Sequence, residues 1–351
     1  MKRGIAAMSG GVDSSVAAFL LRKQGDALMG VTLLLQSSAE DACGSGSDAN
    51  DAAKVCAALG IPHESWDMRD IFRQQVQDRF CACYRSGGTP NPCIDCNRYL
   101  KFGAMLDRAL AEGWDYVASG HYARVGWDES RGRWVLKKGL DESKDQSYVL
   151  YSLTQHQLAH LRLPLGDLHK EQVRALAAEQ GFSSANRPDS QDICFVPDGD
   201  YAAFLERHTG AALTPGNFVL AENGQVLGKH RGMEAYTIGQ RKGLGISWSE
   251  PLYVVDKCGA DNSVRLGRNA DLFRTELTAG DCNWIAVSAP EAGMRATART
   301  RYHQTETPCT LYPLADGGVR AVFDSPIRAI TPGQAVVFYQ EDLVVGGGTI
   351  R

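Results

Sequence analysis

Residues 3–8 form a short apolar run that stops at Ser9-Gly10-Gly11, the pattern of a buried strand ending in a tight turn. From Ser14 to Arg22, Val16, Ala17, Phe19, Leu20 and Leu21 fall at helical spacing, with Gly25 as a stop just beyond. Ala27–Leu35 predicts a second strand, and 38–50, rich in Ala, Gly, Ser and Asp, predicts a loop. Ala52–Leu59 then predicts a helix, Ile61–Trp66 a strand, Ile71–Tyr84 a long helix, and Trp114–Ala118 a strand before Gly120-His121. Strands alternating with helices predict an α/β unit, a parallel sheet with helices on both faces, over about the first 140 residues.

Val135–Lys138 predicts the return strand of a hairpin over the polar turn Asp128 to Gly132. Between Ser147 and His208 the period turns helical again, as in Val173, Leu176, Ala177 and Gln180 ahead of Gly181. Beyond Pro215 the texture changes. Short β-prone runs recur between turn residues: Phe218–Leu220, Tyr253–Val255, Ala321–Phe323 and Ala335–Tyr339. The pattern divides the chain into an α/β domain with a helical segment over 1–210, a small β-rich middle domain over 211–275, and a C-terminal β-barrel over 276–351.

Charge changes this picture little. Thirty-seven Lys and Arg stand against 41 Asp and Glu, so no global positive field announces a nucleic-acid partner, and a polyanion would need local basic patches. The apolar stretch Ala27–Leu35 is too short to span a bilayer, and Asp13 interrupts the only signal-like start, so a cytoplasmic protein with no membrane partner is expected. Ten cysteines in 351 residues do not make a small disulfide scaffold. In a reducing compartment, catalytic or metal-binding thiols are their special uses.

The string Ala7-Met8-Ser9-Gly10-Gly11-Val12-Asp13-Ser14-Ser15 lies between a predicted strand and a predicted helix. Two glycines let backbone amides approach a phosphate, and the helix start aims further amides at the same place. The serine hydroxyls add donors, and Asp13 could hold Mg²⁺ against pyrophosphate. A Walker loop would end in Gly-Lys-Ser or Gly-Lys-Thr, and this one does not. The full string resembles the PP-loop of the ATP pyrophosphatases, which cleave ATP between the α and β phosphates and adenylate an oxygen.

Thr89-Pro90-Asn91-Pro92-Cys93-Ile94-Asp95-Cys96-Asn97 predicts a rigid loop that feeds a helix at Arg98, where the helix start lowers a nearby thiol's pKa. The competing reading is a structural zinc site, because Cys81 and Cys83 lie just upstream. Residues two apart on a helix point about 200° apart, which argues against those two sharing one ion. Cys194, in Asp189-Ser190-Gln191-Asp192-Ile193-Cys194-Phe195, follows a polar turn and would pass for a plain buried cysteine without Cys96 as a counterpart.

These strings occur in order with Gly120-His121-Tyr122, Lys144-Asp145-Gln146-Ser147-Tyr148, Gly239-Gln240-Arg241-Lys242-Gly243-Leu244-Gly245, Arg301-Tyr302 and Thr331-Pro332-Gly333-Gln334. Together they resemble the tRNA-specific 2-thiouridylase family along the whole chain. The resemblance implies that residues Ala7 to Ser14 bind ATP, with Leu33 beside the adenine and Gly120 closing the nucleotide site. It implies that Cys194 carries a persulfide sulfur from a donor protein and that Cys96 is the second catalytic thiol, which can end in a disulfide with Cys194. Asn91, Pro92 and Cys93 would face the target uridine. His121, Lys144, Asp145, Gln146, Arg301, Tyr302 and Gln334 would contact tRNA, with the Lys, Glu and Gln acceptors as expected substrates. Many members carry Asp where this chain has Cys93. That leaves two readings of the third thiol: a small pocket residue, or with Cys96 and Cys194 a ligand of a [4Fe–4S] cluster.

The implied chemistry is coherent. The 2-oxo group of uracil leaves poorly, and adenylation converts it to AMP, which a sulfur nucleophile can displace. A wobble uridine is already single-stranded, so extruding it costs little. Basic groupings available for the RNA are Arg295, Arg299, Arg301 and His303, and Arg241 with Lys242. Two alternatives remain: a PP-loop enzyme that adenylates a small molecule, and an ATP-dependent tRNA-binding or iron–sulfur regulatory protein without turnover. The first has no use for the Cys96 and Cys194 pair, and the intact PP-loop together with both cysteines argues against the second.

Overall fold

The computed structural model describes residues 1–36, 46–185 and 193–351. Its first sheet holds β1 (Arg3–Ala7), β2 (Ala27–Leu34), β3 (His63–Asp67) and β4 (Tyr116–Ala118), all parallel, in the order β3-β2-β1-β4. Past the exposed Arg3, the central strand β1 is apolar and is buried at Ile5 and Ala6, as a strand covered on both faces must be. Helices α1 (Val12–Lys23) and α2 (Gly46–Leu59) cover it, and Val16, Ala17, Leu21, Val55 and Cys56 join one apolar cluster with Leu28 and Tyr116. The start of α2 at Gly46 overlaps the predicted loop over 38–50. Gly, Ser, Asp and Asn are weak helix formers, so composition hides the first turn.

The predicted long helix is one run built from α3 (Arg69–Phe72), a π-helical stretch (Arg73–Asp78) and α4 (Arg79–Arg85). The next helix does not wait for Arg98. It begins at α5 (Pro92–Asp95), continues as a π-helical stretch over Cys96–Ala104, and ends in α6 (Met105–Ala111). The sequence does carry the start signal: Asn91 accepts from the Cys93 N–H as the cap, with Pro92 in the first turn.

The hairpin of β5 (Ala123–Asp128) and β6 (Arg133–Lys138) forms where predicted, but it does not stay with the first sheet. After it come α7 (Gln155–Ala159), the two-residue strand β7 (Leu161–Arg162) beside β4, α8 (Lys170–Glu179) and α9 (Tyr201–Thr209). The middle unit is a sheet of β8 (Gly216–Leu220), β9 (Val226–His230), β10 (Tyr253–Cys258) and β11 (Ser263–Gly267) around a core that includes Phe218, Val254, Val264 and Leu266.

The last unit contains β12 (Phe273–Trp284), β13 (Met294–Arg299), β14 (Thr307–Pro313), β15 (Val319–Arg328), β16 (Ala335–Gln340) and β17 (Leu343–Ile350). These six strands close on themselves through β12–β17 pairing, so the sheet has no bare edge where the ring joins. The β5–β6 hairpin extends the same sheet, with Lys137 opposite Leu343. No helix among the described residues is long and apolar enough to cross a membrane.

Candidate active site

The nucleotide loop takes shape where β1 ends. Gly10 turns at φ +71°, Gly11 caps α1 without a side chain, and the first-turn amides are left for an anion. Ser14 Oγ donates to Gly11 O at 3.0 Å and accepts from Ser9 N at 3.2 Å, while Ser15 Oγ donates to Gly11 O at 2.9 Å. Two of the three hydroxyls therefore brace the turn. Gly120, just past β4, approaches the loop so closely that a Cβ there would lie 2.6 Å from the Asp13 carbonyl carbon.

Asp13 is the centre of this corner. Lys170 Nζ sits 2.8 Å from both of its carboxylate oxygens, and Tyr122 Oη donates to Oδ1 at 2.8 Å. Lys170 is 7% exposed, a buried cation that its carboxylate partner makes tolerable. With both oxygens engaged, Asp13 in this arrangement does not present itself to Mg²⁺, and no step below depends on that ion. Neither Lys170 nor Tyr122 was assigned a role from sequence. Tyr122 lies inside a motif already noted, but nothing local connects Lys170 with Asp13 across 157 positions.

The thiol loop is seated by all three units. Gln334 Nε2 donates to Thr89 O at 2.8 Å, Thr89 N donates to Pro332 O at 2.8 Å, and Lys257 Nζ reaches Gly88 O at 3.3 Å and Tyr236 O at 3.0 Å. Burial pushes the Lys257 ammonium down to about 8 and the neighbouring Cys83 thiol up to about 11. Pro92 and Ile94 anchor the short helix inward, leaving Cys93 exposed and Cys96 half-buried. Burial also raises Tyr302, to about 12, with the charges of Asp145 and Cys93 adding to the effect.

Cys194 is half-buried next to Phe195, whose ring packs edge-on against Phe72 at 5.6 Å and Phe80 at 5.2 Å. Ser190, Gln191 and Asp192 of its motif lie outside the described residues. Cys96, Cys194 and Tyr302 border the same apolar cluster as Ala7 and Leu33. The π-helical stretch carrying Cys96 sends Phe102 to His121, 5.8 Å between centroids. His121 shares a 2.7 Å hydrogen bond with Ser119 and is held well below its usual range by burial and by the Lys101 charge. The nucleotide and thiol ends thus meet around one core.

The residues expected at the RNA face divide into two groups. Lys144 is half-buried, and Arg241 and Lys242 are exposed. Asp145 and Arg301 are engaged inside the protein. Asp145, 5% exposed, accepts from Gly139 N, Ser147 N, Ser147 Oγ and Arg299 Nη1. Arg301 Nη2 donates to Ile238 O at 3.0 Å, Ala329 O at 3.1 Å and Thr331 Oγ1 at 2.7 Å. Gln146 exchanges two hydrogen bonds with the Tyr122 backbone, at 2.8 and 2.9 Å. Arg295 pairs with Asp324, and Arg299 with Asp145 and Glu306, so the arginines from 295 to 301 do not form an unpaired basic array.

Among the described residues no three His, Cys, Asp or Glu side chains gather closely enough to hold a metal ion. No step below runs through a [4Fe–4S] cluster at Cys93, Cys96 and Cys194.

Comparison with known proteins decides the family. Residues 2–198 match the profile described as tRNA methyl transferase HUP domain, 202–268 that of a tRNA methyl transferase PRC-barrel domain, and 274–350 that of an aminomethyltransferase beta-barrel domain. The tRNA-specific 2-thiouridylase MnmA of Acetivibrio thermocellus is 48% identical over 357 aligned positions, covering 100% of this chain and 99% of that protein. Those of Clostridioides difficile and Moorella thermoacetica are 46% and 49% identical, with at least 98% of each covered. The chain belongs to the tRNA-specific 2-thiouridylase family. In this family's terms its three units are a HUP-type PP-loop domain, a PRC-barrel domain and a C-terminal barrel.

Proposed function

We propose that this 2-thiouridylase adenylates the 2-oxygen of the wobble uridine in tRNA with ATP and replaces it with sulfur. The observation that carries the reading is the border shared by the nucleotide loop, through Ala7 and Leu33, and the half-buried thiols Cys96 and Cys194, on one core cluster. The α1 amides and the Ser9–Ser14 turn receive the phosphates, and Gly120 leaves the backbone close enough to seat them. Attack by the uracil 2-oxygen on the α-phosphorus releases pyrophosphate.

A persulfide on Cys194, loaded by a donor protein, then attacks carbon 2 through its outer sulfur, and AMP departs with the oxygen. The Cys96 thiolate attacks the Cys194 sulfur and leaves 2-thiouridine and a Cys96–Cys194 disulfide, which an external thiol reduces before the next cycle. Asn91, Pro92 and Cys93 frame the uridine at the exposed start of the helix, and Lys144, Gln146, Tyr302 and Gln334 lie on the RNA side. The acceptors are the tRNAs for Lys, Glu and Gln, and Mg²⁺ accompanies the ATP.

The test separates the two half-reactions. Cys194→Ser and Cys96→Ser should retain tRNA-dependent pyrophosphate release and yield no 2-thiouridine by nucleoside mass spectrometry. Wild-type levels of 2-thiouridine from either variant would remove that thiol from the mechanism.

A further inference from the structure

The pair formed by Lys170 and Asp13 sits at the junction of two parts of the chain that recognise different ligands. Asp13 belongs to the nucleotide loop. The residues holding it belong to a framework that also holds the 139–147 segment. Along one route, Gln146 N donates to Tyr122 O at 2.8 Å, Tyr122 N donates to Gln146 Oε1 at 2.9 Å, and Tyr122 Oη donates to Asp13 Oδ1. Along the other, Lys170 N donates to Asp141 Oδ2 at 2.9 Å, while the same residue's ammonium grips both Asp13 oxygens. The Lys170 Nζ also lies 5.6 Å over the Tyr122 ring, so the two routes touch before they reach Asp13.

The segment between the routes is stiff. Asp141 Oδ1 accepts from Ser143 N and Ser143 Oγ, and Asp145 is anchored by four donors, one of them Arg299 from the barrel. A displacement at Lys144–Gln146 has hydrogen-bonded neighbours on which to act. It passes to Tyr122 and Lys170, and from both to one carboxylate in the nucleotide loop.

We propose that Tyr122, Lys170 and Asp141 are positioning residues that link the nucleotide loop to the 139–147 segment, so that ATP and tRNA bind with coupled affinities. The proposal rests on the reading of Lys144 and Gln146 as RNA-contacting residues. In the empty enzyme the ammonium neutralises Asp13 and fixes the loop. RNA seated on the segment shifts that contact and resets the loop for the nucleotide. By linkage, the nucleotide must alter RNA affinity by the same factor.

Equilibrium binding of α,β-methylene ATP with and without unmodified tRNA tests this in the full-length enzyme. The wild type should show a coupling factor on the order of 5- to 150-fold, equal in both directions. Tyr122→Phe, Lys170→Met and Asp141→Ala should each bring the factor toward one. Asp141→Asn should give an intermediate factor, because its single amide oxygen can accept from Lys170 N–H or from Ser143 N–H but not from both. A purely structural role would weaken the separate affinities and leave their ratio alone. A wild-type factor of one, or an undiminished factor in both Tyr122→Phe and Asp141→Ala, overturns the proposal even if Lys170→Met fails to fold. Undiminished tRNA binding by Lys144→Ala would instead overturn the RNA-contact reading, which the coupling factors of the other variants do not measure.

Discussion

At the scale of single residues, Asp13 shows how a structural partner changes the expected effect of a substitution. From sequence it belongs to a phosphate loop, and its removal should cost function alone. In the folded chain its loss also strands Lys170, whose side chain is 9% exposed. Breaking a fully buried pair costs about 3–5 kcal/mol, and the 32% exposure of the Asp13 side chain reduces this to about 2 kcal/mol. Asp13→Ala should therefore lower stability by about that amount in urea titrations, and adding Lys170→Met should recover much of it. Additive losses in the double variant would show that the pair is not coupled. Residues of a local motif were readable in this way only up to their own loop. Asp145 and Arg301 each also take one partner from another unit, Arg299 for the first and Ile238 for the second, and no spacing along the chain announces such contacts.

Elements followed the same division between local and distant causes. Short apolar runs, helical period and turn residues locate β1, α1, β2 and the hairpin to within a few residues, because each carries its own local pattern. The strand β7 has two residues, too few for any period to register. The thiol helix was placed late because its Pro-rich approach looked like a loop, although Asn91 and Pro92 together spell a helix start. What fixes that loop in space is the turn at Gly333. This residue has φ +86°, and a Cβ there would lie 2.6 Å from Cys83 Sγ and 2.9 Å from Thr89 N. Gly333→Ala should cost at least ~1–2 kcal/mol for the left-handed backbone alone. Since the strain falls on the loop carrying Cys93 and Cys96, thiolation should drop further than binding of an ATP analogue. Matched kinetics and analogue titrations would reveal equal losses if the turn mattered only to the fold.

On the scale of the whole molecule, the three units hold one another more tightly than three separate family profiles suggest. Arg98 pairs with Asp281, Asn283 Nδ2 donates to Tyr151 O and Leu153 O, and Lys257 and Arg301 bind carbonyls across unit boundaries. Calorimetry should accordingly show one transition with equal calorimetric and van't Hoff enthalpies. Resolved, independent transitions would contradict this. A chain cut after residue 268 should be readily digested by protease, since the β5–β6 hairpin and the thiol loop would lose the barrel contacts that hold them. The hairpin carries a consequence for how the protein is made. Strand β6 pairs with β17, Lys138 N donates to Asp342 O, and Arg124 pairs with Asp342, all within the last ten residues of the chain. Ile350 N likewise closes onto Gln334 O, behind the residue that seats the thiol loop. While the ribosome is still translating, the catalytic half waits with its hairpin and its thiol loop unsupported. A polypeptide that stops before Asp342 lacks the partners of both, so neither the hairpin nor the turn behind the thiol loop is completed until translation has passed this stretch.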